Sequence, residues 1–209
     1  MKKILSTLFF TLLFSATFSQ SFEGKITYNV TYKSKNPAIT DAQFAAMMGN
    51  TQEYFIKGGS YKSIMNGELV QWQLYPSQDT LMYSKMSNTP SVYWVDARTD
   101  DDHILKTEIN KGAATFLGYL CDELILTCKS GVQKYYFSQK LPLDYTLFTK
   151  HNYGNWLAYL KQAKAVPLKM SADTEMMTIE STATAVKAMK LESSFFQLAK
   201  GSKLEKMPY

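Results

Sequence analysis

From Ser21 to Ser34 apolar and polar residues alternate without a break. Phe22, Gly24, Ile26, Tyr28, Val30 and Tyr32 share one side, while Glu23, Lys25, Thr27, Asn29, Thr31 and Lys33 share the other. A period of two over this length predicts a long strand with one buried and one wet face. Asn36-Pro37 ends it, because proline brings no N–H to a ladder. The period then changes. In Thr40 to Gly49, Thr40 can cap a short helix, Asp41 lies in its first turn, Phe44, Met47 and Met48 fall at helical spacing, and Gly49-Asn50 stops it.

The next segments read as a meander. Thr51 to Lys57, Tyr61 to Met65 and Glu68 to Tyr75 are separated by Gly58-Gly59 and by Asn66-Gly67, the latter a strong signal for a two-residue hairpin turn. Thr80 to Met86 and Ser91 to Ala97 follow breaks at Pro76 and Pro90. Ile104 to Asn110 and Phe116 to Cys128 resume strand, and Val132 to Ser138 pairs back through Lys129-Ser130-Gly131. Tyr153 to Ala165 predicts a second helix, with Trp156, Leu157 and Leu160 on one stripe and Pro167 closing it. Val166 to Asp173, Met176 to Met189 and Phe195 to Leu198 are read as returning strands.

The meander strands alternate less cleanly than the first. Val70, Trp72 and Leu74 occupy one face while Leu69 and Tyr75 occupy the other, and Tyr83 opposes Met82. A sheet covered in part on both faces accounts for this. The fold expected is therefore mainly β (α+β): an antiparallel, curved, incomplete β-barrel with two helices packed on its concave side.

The first residues add a location. Lys2 and Lys3 precede an apolar run from Ile4 to Phe14 and the tripeptide Thr17-Phe18-Ser19, the pattern of a secretory signal over residues 1–19 cleaved before Gln20. The run is too short to span a bilayer. With no cysteine just after it, a lipid anchor is not expected. Residues 20–209 are long enough for one domain and short for two. The expected product is periplasmic or secreted and soluble.

Charge narrows the partners. Lys+Arg is 23 against 18 for Asp+Glu, and loss of Lys2 and Lys3 lowers the net charge from +5 to +3. The cations are scattered, so neither nucleic acid nor an acidic membrane surface is an expected partner.

Candidate chemistry is sparse. Cys121 and Cys128 are seven residues apart, roughly 23 Å along a strand and roughly 10 Å along a helix, whereas bridged Cα atoms lie within about 7 Å. No disulfide is expected, and at least one thiol should be buried. The odd separation should also put the two on opposite faces of a strand. Of the two histidines, His151 in TKHNYGN reads as an exposed loop or capping residue, and His103 follows the acidic loop Asp96 to Asp102. That loop has no glycine of the kind a calcium loop uses, so it reads as a solvated turn. No phosphate loop, nucleophile elbow, zinc motif or CxxC is present. Catalytic residues, metal and cofactor are all expected to be none.

What stands out is apolar: eleven methionines, fourteen tyrosines, twelve phenylalanines and three tryptophans. They can fill a core. They can also line a cavity for an apolar ligand, with Phe44, Met47, Met48, Trp72, Trp156 and Leu160 as the candidate lining, since methionine adapts to irregular shapes.

The order of short motifs resembles a family. FEGKITY, YFIKGGSYKS, FLGYLCDEL ahead of a Tyr-Tyr-Phe strand, AVPLKM and a closing FFQL resemble the DUF4412-type and GLPGLI-like exported proteins of Bacteroidetes. That resemblance implies a half-barrel like LolA and LolB, an envelope location and a structural role for Gly118, Tyr119, Cys121, Pro167, Leu168, Phe196, Gln197 and Leu198. It supplies no reaction. The expected function is an exported, non-enzymatic binding or carrier module for a lipid or other apolar group. The alternative is a structural or interaction protein of the cell envelope with a filled core, whose partner would be another envelope protein.

Overall fold

The computed structural model describes residues 21–99 and 102–208. The expected export signal, its cleavage point, and Asp100 and Asp101 of the acidic loop lie outside them.

The opening strand, β1 (Gly24–Ser34), follows its pattern residue by residue. Ile26, Tyr28, Val30 and Tyr32 are buried, and the lysines and threonines between them face out. Both its edges are paired antiparallel, which makes it the middle of the sheet. A short helix, α1 (Asp41–Met48), leads from it into the meander β2 (Thr51–Lys57), β3 (Ser60–Met65), β4 (Val70–Tyr75), β5 (Leu81–Met86) and β6 (Val92–Asp96). The chain then resumes at β7 (Ile104–Phe116), β8 (Tyr119–Cys128) and β9 (Gly131–Pro142). Two 3₁₀ turns, Tyr145–Phe148 and Tyr153–Asn155, precede α2 (Trp156–Ala163). β10 (Ala165–Asp173), β11 (Met177–Ala188), a 3₁₀ turn at Ser193–Phe196 and β12 (Leu204–Lys206) complete it.

The twelve strands among the described residues form one sheet in the order β12-β6-β5-β4-β3-β2-β1-β11-β10-β9-β8-β7, antiparallel except for the parallel β12–β6 pair. The connection from β6 to β7 fixes its shape. These strands are ten places apart, about 48 Å in a flat sheet at the usual strand spacing. The chain from Asp96 to Ile104 reaches at most about 28 Å. The sheet must therefore curl until its two ends approach, and it stays open because β7 and β12 are not paired with each other. This is the expected incomplete barrel with its helices on the concave side. Among the described residues no helix is long and apolar enough to cross a membrane.

The helix ends explain two departures from expectation. α1 starts as its sequence requires: Thr40 Oγ1 accepts from Gln43 N at 3.2 Å and Thr40 N donates to Gln43 Oε1 at 2.8 Å, a reciprocal cap. Its C-terminal end is satisfied by the segment after β3. Glu68 N and Leu69 N donate to the carbonyls of Ala46 and Met47, and Asn66 Oδ1 accepts from Asn50 N and Thr51 N. Asn66-Gly67 is therefore not the two-residue turn expected but part of a wider loop docked under α1. A Cβ on Gly67 would lie 2.5 Å from the Met47 carbonyl oxygen. α2 begins three residues later than expected because Gly154 and Asn155 are left-handed, at φ 65° and 63°. Pro167 follows the end of that helix and sits inside β10, where the strand expected over Val166 to Asp173 places it, with register shifts on both sides.

Three strand expectations are corrected. β7 runs on to Phe116, and the reversal falls at Leu117-Gly118, both with positive φ, so Gly118 ends a hairpin rather than lying within a strand. Phe195 belongs to a 3₁₀ turn. Adjacent Phe195 and Phe196 both pack on the sheet there, whereas a strand would send them to opposite faces. Finally, β12 was not expected at all.

That C-terminal segment covers the convex face. Leu191, Phe195 and Phe196 pack on Phe55, Trp72, Leu74, Tyr83 and Val92, with the Phe55 and Phe195 rings 4.9 Å apart. The concave face carries the larger core, from Ile26 and Tyr28 through Phe137, Phe148, Tyr159 and Leu168. A sheet covered on both sides is what the imperfect alternation of the meander required. The outer edge strand β7 is largely exposed, and register shifts at Ile104/Lys106 and Asn110/Ala114 interrupt its ladder. Such irregularity is the usual protection of a sheet edge.

Candidate functional site

Where the sheet curls around the helices, side chains from β1 to β5 and β9 to β11 converge without filling the space. Two adjoining hollows remain, of about 270 Å³ and about 200 Å³. Gln52, Ser63, Gln73 and Met170 line both, so they form one groove with a shared waist. The larger part runs toward α1 and is walled by Val30, Met48, Met65, Val70 and Ile179. The smaller part runs toward α2 and is walled by aromatics: Tyr28, Tyr54, Tyr61 and Trp156. At the waist Gln52 Nε2 donates to Ser63 Oγ at 2.8 Å.

The aromatic wall is a chain of ring contacts. Tyr54 lies 5.2 Å from Tyr61, Tyr61 stacks on Tyr75 at 5.7 Å, and Trp156 stacks on Tyr159 at 5.3 Å. His151 sits among them, 4.4 Å from Tyr75, with Nε2 2.7 Å from the Tyr61 hydroxyl. Its expected place was an exposed loop. Instead only 1% of it is accessible, because the 3₁₀ turns fold TKHNYGN inward, with His151 N donating to Phe148 O. Burial pushes its pKa down to about 4, so the ring is neutral near pH 7. Burial moves the tyrosines the other way: Tyr28, Tyr54 and Tyr61 are all raised. Two buried polar atoms beside the groove, His151 Nδ1 and Trp156 Nε1, have no hydrogen-bond partner.

The structure disperses the six residues singled out from sequence. Met48 and Trp156 line the groove, one at each part. Phe44 stacks on Tyr32 at 6.2 Å and Met47 packs on the same core, both behind the lining. Leu160 is wholly buried in that core. Trp72 is on the convex face, under Lys62 and beside Phe195. A register shift between Val70 and Trp72 separates those two residues, so Val70 faces the groove and Trp72 does not. Tyr61, Gln52, Ser63, Gln73, Met170 and His151 were not anticipated. The available signal was the period of β2 and β4, which places Gln52 and Gln73 on the same faces as buried Tyr54 and Tyr75.

The other candidates lie elsewhere. Cys121 and Cys128 are both buried in the concave core, contrary to the expectation of opposite faces; the alternation of β8 breaks at Asp122-Glu123, opposite the β7 register shift between Asn110 and Ala114. Cys121 donates to Tyr119 O at 3.3 Å, and burial pushes its thiol up. Asn155 Nδ2 donates to Cys128 Sγ at 3.3 Å. His103 is exposed. In the acidic loop Asp96 is paired with Arg98 at 2.6 Å, and Asp102 accepts from Ser130 N and Oγ. Among the described residues no group of three His, Cys, Asp or Glu is placed to hold a metal. What the groove offers chemically is an apolar wall with a few uncharged hydrogen-bonding groups.

No family model and no curated protein matches the sequence. Among solved structures the chain is similar to PNGF-II, at 11% identity and a TM-score of 0.46, over 88% of this chain and 32% of that one. It thus spans about a third of that protein. It is similar to the Mycobacterium tuberculosis lipoprotein LppX, at 9% identity and a TM-score of 0.35, over 82% of this chain and 90% of that one. It is also similar to a LolA-superfamily protein from Nitrosomonas europaea, at 12% identity and a TM-score of 0.35, over 84% and 91%.

Proposed function

We propose that this protein is an exported, non-catalytic binding or carrier module that holds one apolar or amphipathic small molecule between its curled sheet and its helices. The observation that carries this is the continuous groove, with its methionine and aliphatic walls at one end and aromatic walls at the other. Burial there stabilises an alkyl chain by about 0.8 kcal/mol per methylene removed from water. Met48, Met65 and Met170 supply unbranched side chains that adjust to the chain they meet. In this reading Met48 and Trp156 contact ligand directly, and Phe44, Met47 and Leu160 hold the two helices against the sheet.

A second reading rests on the same space. Each hollow lies below the roughly 300 Å³ at which small-molecule sites usually begin, and the aromatic end is already densely stacked. Taken alone, each would suit a filled core in an envelope protein that works through its surface. Native mass spectrometry of protein purified gently from its host decides between them. A bound mass removed by delipidation and restored by a fluorescent fatty-acid analogue supports the carrier. An unliganded mass together with no uptake of the analogue refutes it.

A further inference from the structure

The walls of the groove carry no formal charge. None of its lining residues is Asp, Glu, Lys or Arg. This follows from the period of two in the strands that build it. Tyr32, Gln52, Ser63, Met170 and Ser181 line the groove, and their chain neighbours Lys33, Glu53, Lys62, Lys169 and Glu180 project to the opposite face. There the charges are already engaged: Glu53 with Lys25, Glu180 with Lys169, and Lys62 over the Trp72 and Phe195 rings.

The polar groups that do line it are amides, hydroxyls and a neutral imidazole. An ionised ligand head drawn into such walls loses its hydration and finds no counter-ion, which is far more costly than burying a neutral group that can hydrogen-bond. At the waist the Gln73 side-chain amide lines both hollows. Its N–H groups can donate, so a carbonyl oxygen is their complement.

We propose, building on the carrier reading, that the groove selects ligands whose polar end is uncharged, an acyl ester or primary amide on an apolar chain, over carboxylates, phosphates and ammonium groups. The Gln52–Ser63–Gln73 waist supplies the groups that recognise that end.

The test is isothermal titration of the delipidated protein, near neutral pH, with five probes sharing one chain length: monolaurin, lauramide, laurate, dodecyl phosphate and dodecylamine. Monolaurin and lauramide are expected to bind about tenfold or more tightly than the three charged probes. Gln73→Lys, which places a cation at the waist, is expected to raise laurate affinity by about tenfold. Any charged probe matching monolaurin in the native protein, or a folded Gln73→Lys with unchanged laurate affinity, overturns the selectivity while leaving a ligand-binding groove. Heat from none of the five overturns the carrier reading and this inference with it. If Gln73→Lys does not fold, the five-probe series on the native protein still decides.

Discussion

His151 should make this protein lose stability in mild acid, and His151→Gln should remove that loss. In the folded chain the ring is enclosed by Tyr61, Tyr75 and Trp156, and its pKa falls from 6.5 to about 4. In the unfolded chain it returns to the ordinary value. Between those two values the unfolded state therefore holds the proton more tightly, and stability falls as pH falls. The stabilisation is fully present above pH 6.5 and is lost progressively down to about pH 4. A difference of about 2.5 units at roughly 1.4 kcal/mol each gives about 3 kcal/mol, a large fraction of the stability of an ordinary domain. Glutamine can keep a hydrogen bond to the Tyr61 hydroxyl and does not titrate. Urea unfolding of both proteins across this range should show the native protein losing about 3 kcal/mol more than the variant. Parallel pH profiles for the two would refute the burial of a neutral imidazole.

Further substitutions probe separate parts of the fold. Cys121→Ser should lower stability by about 1–3 kcal/mol, because a more strongly polar hydroxyl replaces a thiol in a fully buried position; an unchanged melting temperature would place the side chain at the surface. Gly67→Ala should lower stability by about 1–3 kcal/mol, since its Cβ meets the Met47 carbonyl oxygen at 2.5 Å and must push the 66–69 loop off α1; differential scanning calorimetry reads it. Leu117→Asn should instead raise the melting temperature, because Leu117 holds φ 50° at an exposed hairpin tip and asparagine tolerates that conformation better. A fall in that variant would mean the leucine side chain has a stabilising partner.

The fold was legible where a side-chain period ran unbroken. Phe22 to Tyr32 named the buried face of β1, and Thr40 with Asp41 named the start of α1. The mixed pattern at Leu69 to Tyr75 gave away a sheet covered on both sides. Reading failed where one register slip or one left-handed residue reset the pattern. The slip at Val70/Trp72 moved Trp72 to the convex face, the left-handed pair Gly154-Asn155 delayed the start of α2, and the 3₁₀ turns around His151 folded it inward from a stretch that looks like a polar loop. Asn66-Gly67 carries a hairpin signature, but the carbonyls at the end of α1 claim the backbone donors that follow it, a contact no local pattern shows. The groove was legible only as a surplus of methionine and aromatic residues. Its members come from eight strands, both α-helices and the segment from His151 to Gly154, and their meeting depends on the curl of the whole sheet.

Met170 lies at the waist of the groove, so replacing it with tryptophan should fill the shared space while leaving the sheet pairing of β10 intact. The most direct test of a ligand-holding groove is therefore a paired titration of native protein and Met170→Trp with a fluorescent monoacylglycerol analogue. Saturable one-to-one binding to the native protein, lost in a variant with an undiminished melting temperature, is the expected result. Equal binding to both proteins, or none to either, would contradict the assignment of this groove as the site.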